Sequence, residues 1–411
     1  MRLVGSEMCI RDRSKIFEVS DKSTHIHLLS REGELKQFSD NLKFFNNELD
    51  VIVYPSWDCF PYSNISPRKE IVSKRYSALR ASRRESKNRK IILMSIDSIL
   101  QKIVPVTESS VKSFSLDINQ EVDFLRLIEW LENIGYSRQE NVYSVGEYAV
   151  RGGILDIFVP EVKYPIRLDF FGTKLEKIRT FDPSSQRSNG SVNNVKIFPV
   201  SEIILDEQSI DIFRQNYRRS IGTVKTNDRV YNSISDKVLV EGIEHWLPLF
   251  NPKLEPIFSV LSGASLSYDN DLQQMVENKW EQIVENRNFD LKAISNNDNK
   301  LSVLEPSSHY LSPSAFRKAI RFYHINKIDH IFSNKLKTTY SSTKDFAVER
   351  NKQDISLFNE VVKYLKERVK KRSMIISGHS EGSIKRLISV LKEHNLNIVR
   401  KIETVSYTHL R

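Results

Sequence analysis

Short apolar runs alternate along the first hundred residues with longer stretches in which apolar side chains recur every three or four positions. Residues 25–29 (HIHLL), 51–54 (VIVY) and 91–94 (IILM) have the length and continuity of buried strands. Between them, 32–47 and 71–86 carry helical spacing, and strands alternating with helices predict a parallel α/β sheet. A helix is expected over 97–103, capped by Asp97. Another is expected over 121–134, where positions 124, 127, 128, 131 and 134 are apolar and Gly135 marks the stop. From 142 to 181 the pattern changes to short alternating strands with turn signals, the mark of a β-rich insertion. Helix returns over 207–216, and 224–345 mixes short strands and helices around an Asn/Asp-rich loop at 295–299. A boundary is expected at 346–350. A helix over 353–369, a strand over 374–377 and a helix over 381–393 then begin a small α/β unit. The fold class is therefore α/β, a parallel-sheet domain with a β-rich α+β insertion followed by the start of a small α/β domain.

Composition narrows the classes. The 411 residues are 39% hydrophobic and 28% charged, enough for several packed cores and unlike a disordered or collagenous chain. No run of about 18 apolar residues offers a membrane span. Two cysteines, Cys9 and Cys59, make no disulfide framework. The beginning has no signal-peptide pattern, so a cytoplasmic location is expected. Residues 1–13 and 405–411 show no structural period and resemble translated adapter sequence, so neither is expected to belong to the fold. The net charge of +10 is concentrated: residues 68–90 hold ten basic residues against two acids. Arg75, Arg80, Arg83, Arg84, Lys87 and Arg89 could neutralise phosphates of DNA without sequence preference. The blander reading is a solvated helix face with Ile71, Tyr76 and Leu79 turned inward.

Several chemistries lack a motif. There is no glycine-rich phosphate loop closed by Lys-Ser/Thr, and Asp206-Glu207 reads as a helix start. The histidines have no metal-ligand spacing, and no catalytic set stands out, so neither a metal nor catalytic residues are expected. The most informative stretch is 146–188, GEYAVRGGILDIFVPEVKYPIRLDFFGTKLEKIRTFDPSSQRS. Over 166–171, Ile166, Leu168 and Phe170 alternate with Arg167, Asp169 and Phe171. One face should bury apolar side chains, while the other offers Arg, Asp and Phe together, the residue types that anchor protein partners. Arg151, ahead of the Gly152-Gly153 pair, is expected to join them.

The same stretch resembles the bacterial transcription-repair coupling factor family. RGGILDIF and PIRLDFF are motifs shared with the excision-repair protein UvrB, and FDPSSQRS is closer to the coupling factors. PSWDCFPYSNISPRKEIVSKR at 55–75, GIEHWLPLF at 242–250 and SGHSEGSIKRLISVL at 377–391 extend the resemblance in order over about 15–404. It implies an incomplete, helicase-like UvrB-type domain in two pieces, 14–117 and 200–345. It also implies a UvrA-binding insertion at 118–199 and a third domain starting at 346–404. By motif, UvrA-binding roles fall on Arg151, Arg167 and Phe171, with Asp169 in support. RNA polymerase binding and ATP- and magnesium-dependent DNA translocation are implied for other parts of such a protein, and no cofactor for this chain. A UvrB-type subunit is the nearest alternative, but its damage-gripping hairpin has no counterpart after Val53. Departures are Asp58 and Phe60 for Glu and Leu, and Gly172 for an acidic turn residue, which would soften the hairpin beside Phe171.

Overall fold

The structure is a computed structural model that describes residues 23–46, 48–105, 113–269, 271–295, 304–328, 346, 357–370, 376, 380–397 and 399. The terminal segments 1–13 and 405–411 lie outside these residues. So do nearly all of the 295–299 loop, the 346–350 boundary and the strand expected at 374–377.

Thirteen strands occur among the described residues. β1 (Thr24–Leu29), β2 (Asp50–Tyr54) and β3 (Lys90–Ser95) come first. β4 (Phe114–Asp117), β5 (Ser137–Arg138), β6 (Glu147–Arg151), β7 (Ile154–Ile157), β8 (Ile166–Phe171), β9 (Lys174–Phe181), β10 (Ser188–Ser191) and β11 (Asn194–Ile197) follow. β12 (Ser265–Asp269) and β13 (His324–Ile328) are last. Five of them form a parallel sheet in the order β13-β12-β1-β3-β2, so strands from both sides of the intervening region share one sheet. The others form a six-stranded sheet, β10-β9-β8-β7-β6-β5, antiparallel except at β5, and the antiparallel pair β11-β4.

Strand alternation divides the cores. Ile26 and Leu28 of β1 face one side of the parallel sheet with Ile92, Met94, Leu266 and Phe316. Leu29, Ile91 and Leu93 face the other, under Leu35, Phe38 and Leu42 of the helix Glu34–Phe45. A separate core fills the six-stranded sheet, where Leu127 and Leu131 of the helix Phe124–Asn133 pack on Leu155, Leu168 and Ile178. A third gathers Phe213, Tyr217, Trp246 and Phe250. Asp206 caps the helix Glu207–Ile221 by accepting from Ser209 N–H, as a helix-starting acid does. At 96–100 the cap differs from expectation. Ser95, not Asp97, accepts from Ser98 N–H, and Ser98 returns a bond to Ser95 N–H. No helix among the described residues is long and apolar enough to cross a membrane.

Candidate partner-binding face

The six-stranded sheet brings the sequence-predicted residues to one face. Tight hairpins at Gly152-Gly153 and Gly172-Thr173 lie at the same end, because β7 and β8 pair Ile154 with Asp169. Gly153 is held close against its neighbour: a Cβ there would stand 2.6 Å from the Phe170 carbonyl oxygen. Gly172 adopts φ +60°, where a residue with a side chain is strained, so glycine fits the conformation of this turn.

Register sets the face. Ala149, Asp156, Arg167 and Arg179 form one row across β6 to β9, and Arg151, Ile154, Asp169 and Lys177 form the next. Phe171 stands one step further, at the tip, 77% exposed. A shift in register between Asp169 and Phe170 leaves Glu176 and Lys177 both exposed, so the alternation of β9 breaks there.

The face is not an open array of charges. Arg167 donates from Nε and Nη2 to Asp156 at 2.7 and 2.8 Å, a two-point pair with a carboxylate that is itself buried. Those hydrogen bonds raise the Arg167 pKa above its ordinary value. The guanidinium also lies 4.7 Å over the Phe181 ring, and Phe181 forms a small core on this side with Val142 and Ala149. Asp169 is likewise occupied, accepting from Arg179 Nε at 2.9 Å and Nη2 at 3.0 Å. Arg167 and Asp169, expected to be offered to a partner, are thus each paired within the chain. The Arg167 fork is filled by Asp156 and its Nη1 also donates to the Gln186 carbonyl at 3.4 Å, leaving only the remaining outer N–H groups for another molecule. Arg151 is exposed, bonding through Nη2 to the Glu140 carbonyl at 2.8 Å and to the Asn141 side chain. Asp156 and Phe181 were not predicted. Asp156 is visible in ILDIF, but the eight residues joining β7 to β8 conceal the register that sets it opposite Arg167.

The basic segment divides. Arg75 is 1% exposed and donates from Nε to Glu202 at 2.6 Å, so it has no access to a phosphate and the expected DNA role is corrected. Its face of the helix Lys69–Arg83 turns inward with Tyr76 and Leu79. Arg80 pairs with Glu161 and stacks on Phe198. Arg83, Arg84, Lys87 and Arg89 are exposed along the helix end and the loop into β3.

Around Arg75 the 55–75 and 242–250 motifs meet. Trp57 Nε1 donates to Glu202 at 3.2 Å, and the Trp57 ring lies edge-on to His245 and His309. Ser66 Oγ donates to Glu244 at 2.6 Å. Burial pushes Glu244 up to about 7 and His245 down to about 4. A carboxylate raised from an ordinary 4.5 stabilises the fold below that value, and the benefit is lost as pH rises through 7. Glu244→Gln is therefore expected to flatten the fall in stability between pH 5 and 8, raising it by roughly 2 kcal/mol at pH 8. Urea unfolding across that range checks this, and parallel profiles for the two proteins would contradict it.

The six-stranded sheet and its hairpins lie in a segment with known relatives: residues 114–203 match the family described as the UvrB interaction domain. The chain is 31% identical over 277 residues to the transcription-repair-coupling factor of Haemophilus influenzae, covering 67% of this chain and 24% of the relative. To that of Escherichia coli it is 29% identical, covering 61% and 21%. To that of Rickettsia prowazekii it is 26% identical over 412 residues, covering 95% and 35%. The chain is a homologue of the transcription-repair-coupling factors, and it spans about a fifth to a third of the length of these curated relatives.

Proposed function

We propose that this chain serves transcription-coupled nucleotide excision repair by recruiting UvrA through the β6–β9 face. The observation that carries the reading is Phe171, a large apolar side chain left exposed at a hairpin tip inside the matched interaction domain. Arg151 lies at the same end of that face, and Arg167 offers its outer N–H groups beside them. In this reading 118–199 is the UvrA-binding insertion in a UvrB-like, helicase-type domain made of 14–117 and 200–345. The pairing of β1 with β12 across the insertion supports it. Residues 346–404 begin a third domain. ATP- and magnesium-dependent translocation on DNA and contact with RNA polymerase belong, in this proposal, to other parts of a whole coupling factor, and this chain is not itself the motor.

The test is a titration of the purified chain against UvrA, with Phe171→Ala alongside. Micromolar or tighter binding, weakened about thirtyfold by the substitution, is expected. Because Phe171 is so exposed, its truncation should leave the unfolding midpoint unchanged. Absence of binding by the folded chain would sink the proposal. The exposed Arg83, Arg84, Lys87 and Arg89 favour a second reading, DNA contact, which predicts an affinity that falls steeply with salt and ignores Phe171.

A further inference from the structure

Leu125 has no part in folding that its position explains. The helix Phe124–Asn133 packs Phe124, Leu127, Ile128 and Leu131 into the insertion core, and Leu125 lies off that stripe, 76% exposed. It is nonetheless firmly placed. Asp123 caps the helix by accepting from the N–H groups of Leu125 and Arg126 at 3.1 and 3.2 Å. The strand-like segment before it is tied to the β8–β9 hairpin. Asn119 N–H donates to the Leu175 carbonyl at 2.7 Å, Leu175 N–H to the Gln120 carbonyl at 2.9 Å, and Val122 N–H to the Thr173 carbonyl at 2.8 Å.

Leu125 therefore stands beside the tip that carries Phe171. The residues preceding the two lock them in place, since the Phe124 and Phe170 rings meet edge to face with centroids 5.1 Å apart. Two exposed apolar side chains thus project from rigid, hydrogen-bonded neighbours at one end of the sheet, both within residues 114–203 of the interaction domain. An exposed leucine or phenylalanine alone is ordinary. A pair held at one tip by mutually packed neighbours is a preorganised apolar contact, which reduces the ordering cost of association.

We infer that Leu125 is a second anchor for the protein that engages Phe171, so that the docking surface wraps the hairpin tip from the sheet face onto the start of the helix. The inference rests on the recruitment reading above. It requires the partner to offer two apolar depressions on either side of the tip, whereas contact with the sheet face alone would need one.

The experiment titrates the whole chain against UvrA in four forms: wild type, Phe171→Ala, Leu125→Glu and, as an apolar residue exposed elsewhere, Leu239→Ala. Leu125→Glu is expected to weaken binding about tenfold or more, and Leu239→Ala to leave it unchanged. Leu125→Gln accompanies them, with unfolding midpoints for all, so that a loss of affinity is read on a variant that melts like the wild type. Wild-type affinity in both Leu125 variants, with Phe171→Ala still weakened, overturns the second anchor and leaves the recruitment reading standing. No binding by wild type, or equal binding by every variant, removes the recruitment reading and the second anchor together.

Discussion

Arg75→Ala is expected to destabilise the protein by about 3–5 kcal/mol, the largest effect of any single change considered, because it strands a buried carboxylate. Arg75 is enclosed by Tyr54 and Trp57, with its guanidinium carbon 4.7 and 5.8 Å from their ring centres. It donates to Glu202 at 2.6 Å and, through Nη1, to the Pro55 carbonyl at 3.0 Å. Glu202 is nearly as buried as its partner and retains only the Trp57 N–H once the guanidinium is gone. Arg75→Met should cost almost as much, since it restores volume without charge. Arg75→Met with Glu202→Gln should recover most of the loss, because a pair removed together leaves no uncompensated ion. Urea unfolding at neutral pH measures all three. An unchanged midpoint for Arg75→Ala would show that the ion pair is not structural. The same variants distinguish this pair from a DNA contact, whose removal would lower the salt dependence of DNA binding and leave unfolding alone.

Arg167→Ala is expected to lose stability and partner affinity at once, which makes it a poor probe by itself. Asp156 is 1% exposed, and both of its oxygens accept from Arg167. Truncation therefore leaves a buried charge and costs about 3 kcal/mol. The variant Asp156→Ala with Arg167→Ala separates the two effects. Its unfolding midpoint should return toward wild type, while its affinity for UvrA stays about tenfold down because the outer N–H groups are still missing. If affinity returned with stability, Arg167 would act only by holding the face in shape. Phe171→Ala serves as the reference, a loss of affinity with no change in unfolding.

The parallel sheet was legible because strands buried on both faces leave continuous apolar runs, and HIHLL, VIVY and IILM are such runs. The helix behind Asp123 was legible from a different signal, an apolar stripe at 124, 127, 128 and 131 that buries one face. Alternation in IRLDFF placed Arg167, Asp169 and Phe171 on one face. What those residues touch was not legible. The Arg167–Asp156 pair depends on register across an eight-residue connection, and Arg75–Glu202 joins positions 127 apart in sequence. Local pattern carries no information about either. A cluster of arginines consequently read as one surface, although the helix turns Arg75 inward and leaves Arg83 and Arg84 outside.

The anchorage of the insertion has a mechanical consequence. Its links to the parallel-sheet region gather at the end away from the hairpin tips. Lys69 Nζ donates to Ser137 Oγ at 2.8 Å and to the Gly146 carbonyl at 3.1 Å, and Arg80 pairs with Glu161 in the β7–β8 connection. The insertion is therefore a cantilever, clamped at its root with Phe171 near the free end. A load applied at Phe171 acts through the length of the antiparallel sheet as a lever arm and is resisted as torque by these few ionic and polar clamps. They, and not the tip, set the angle at which the hairpin end is held.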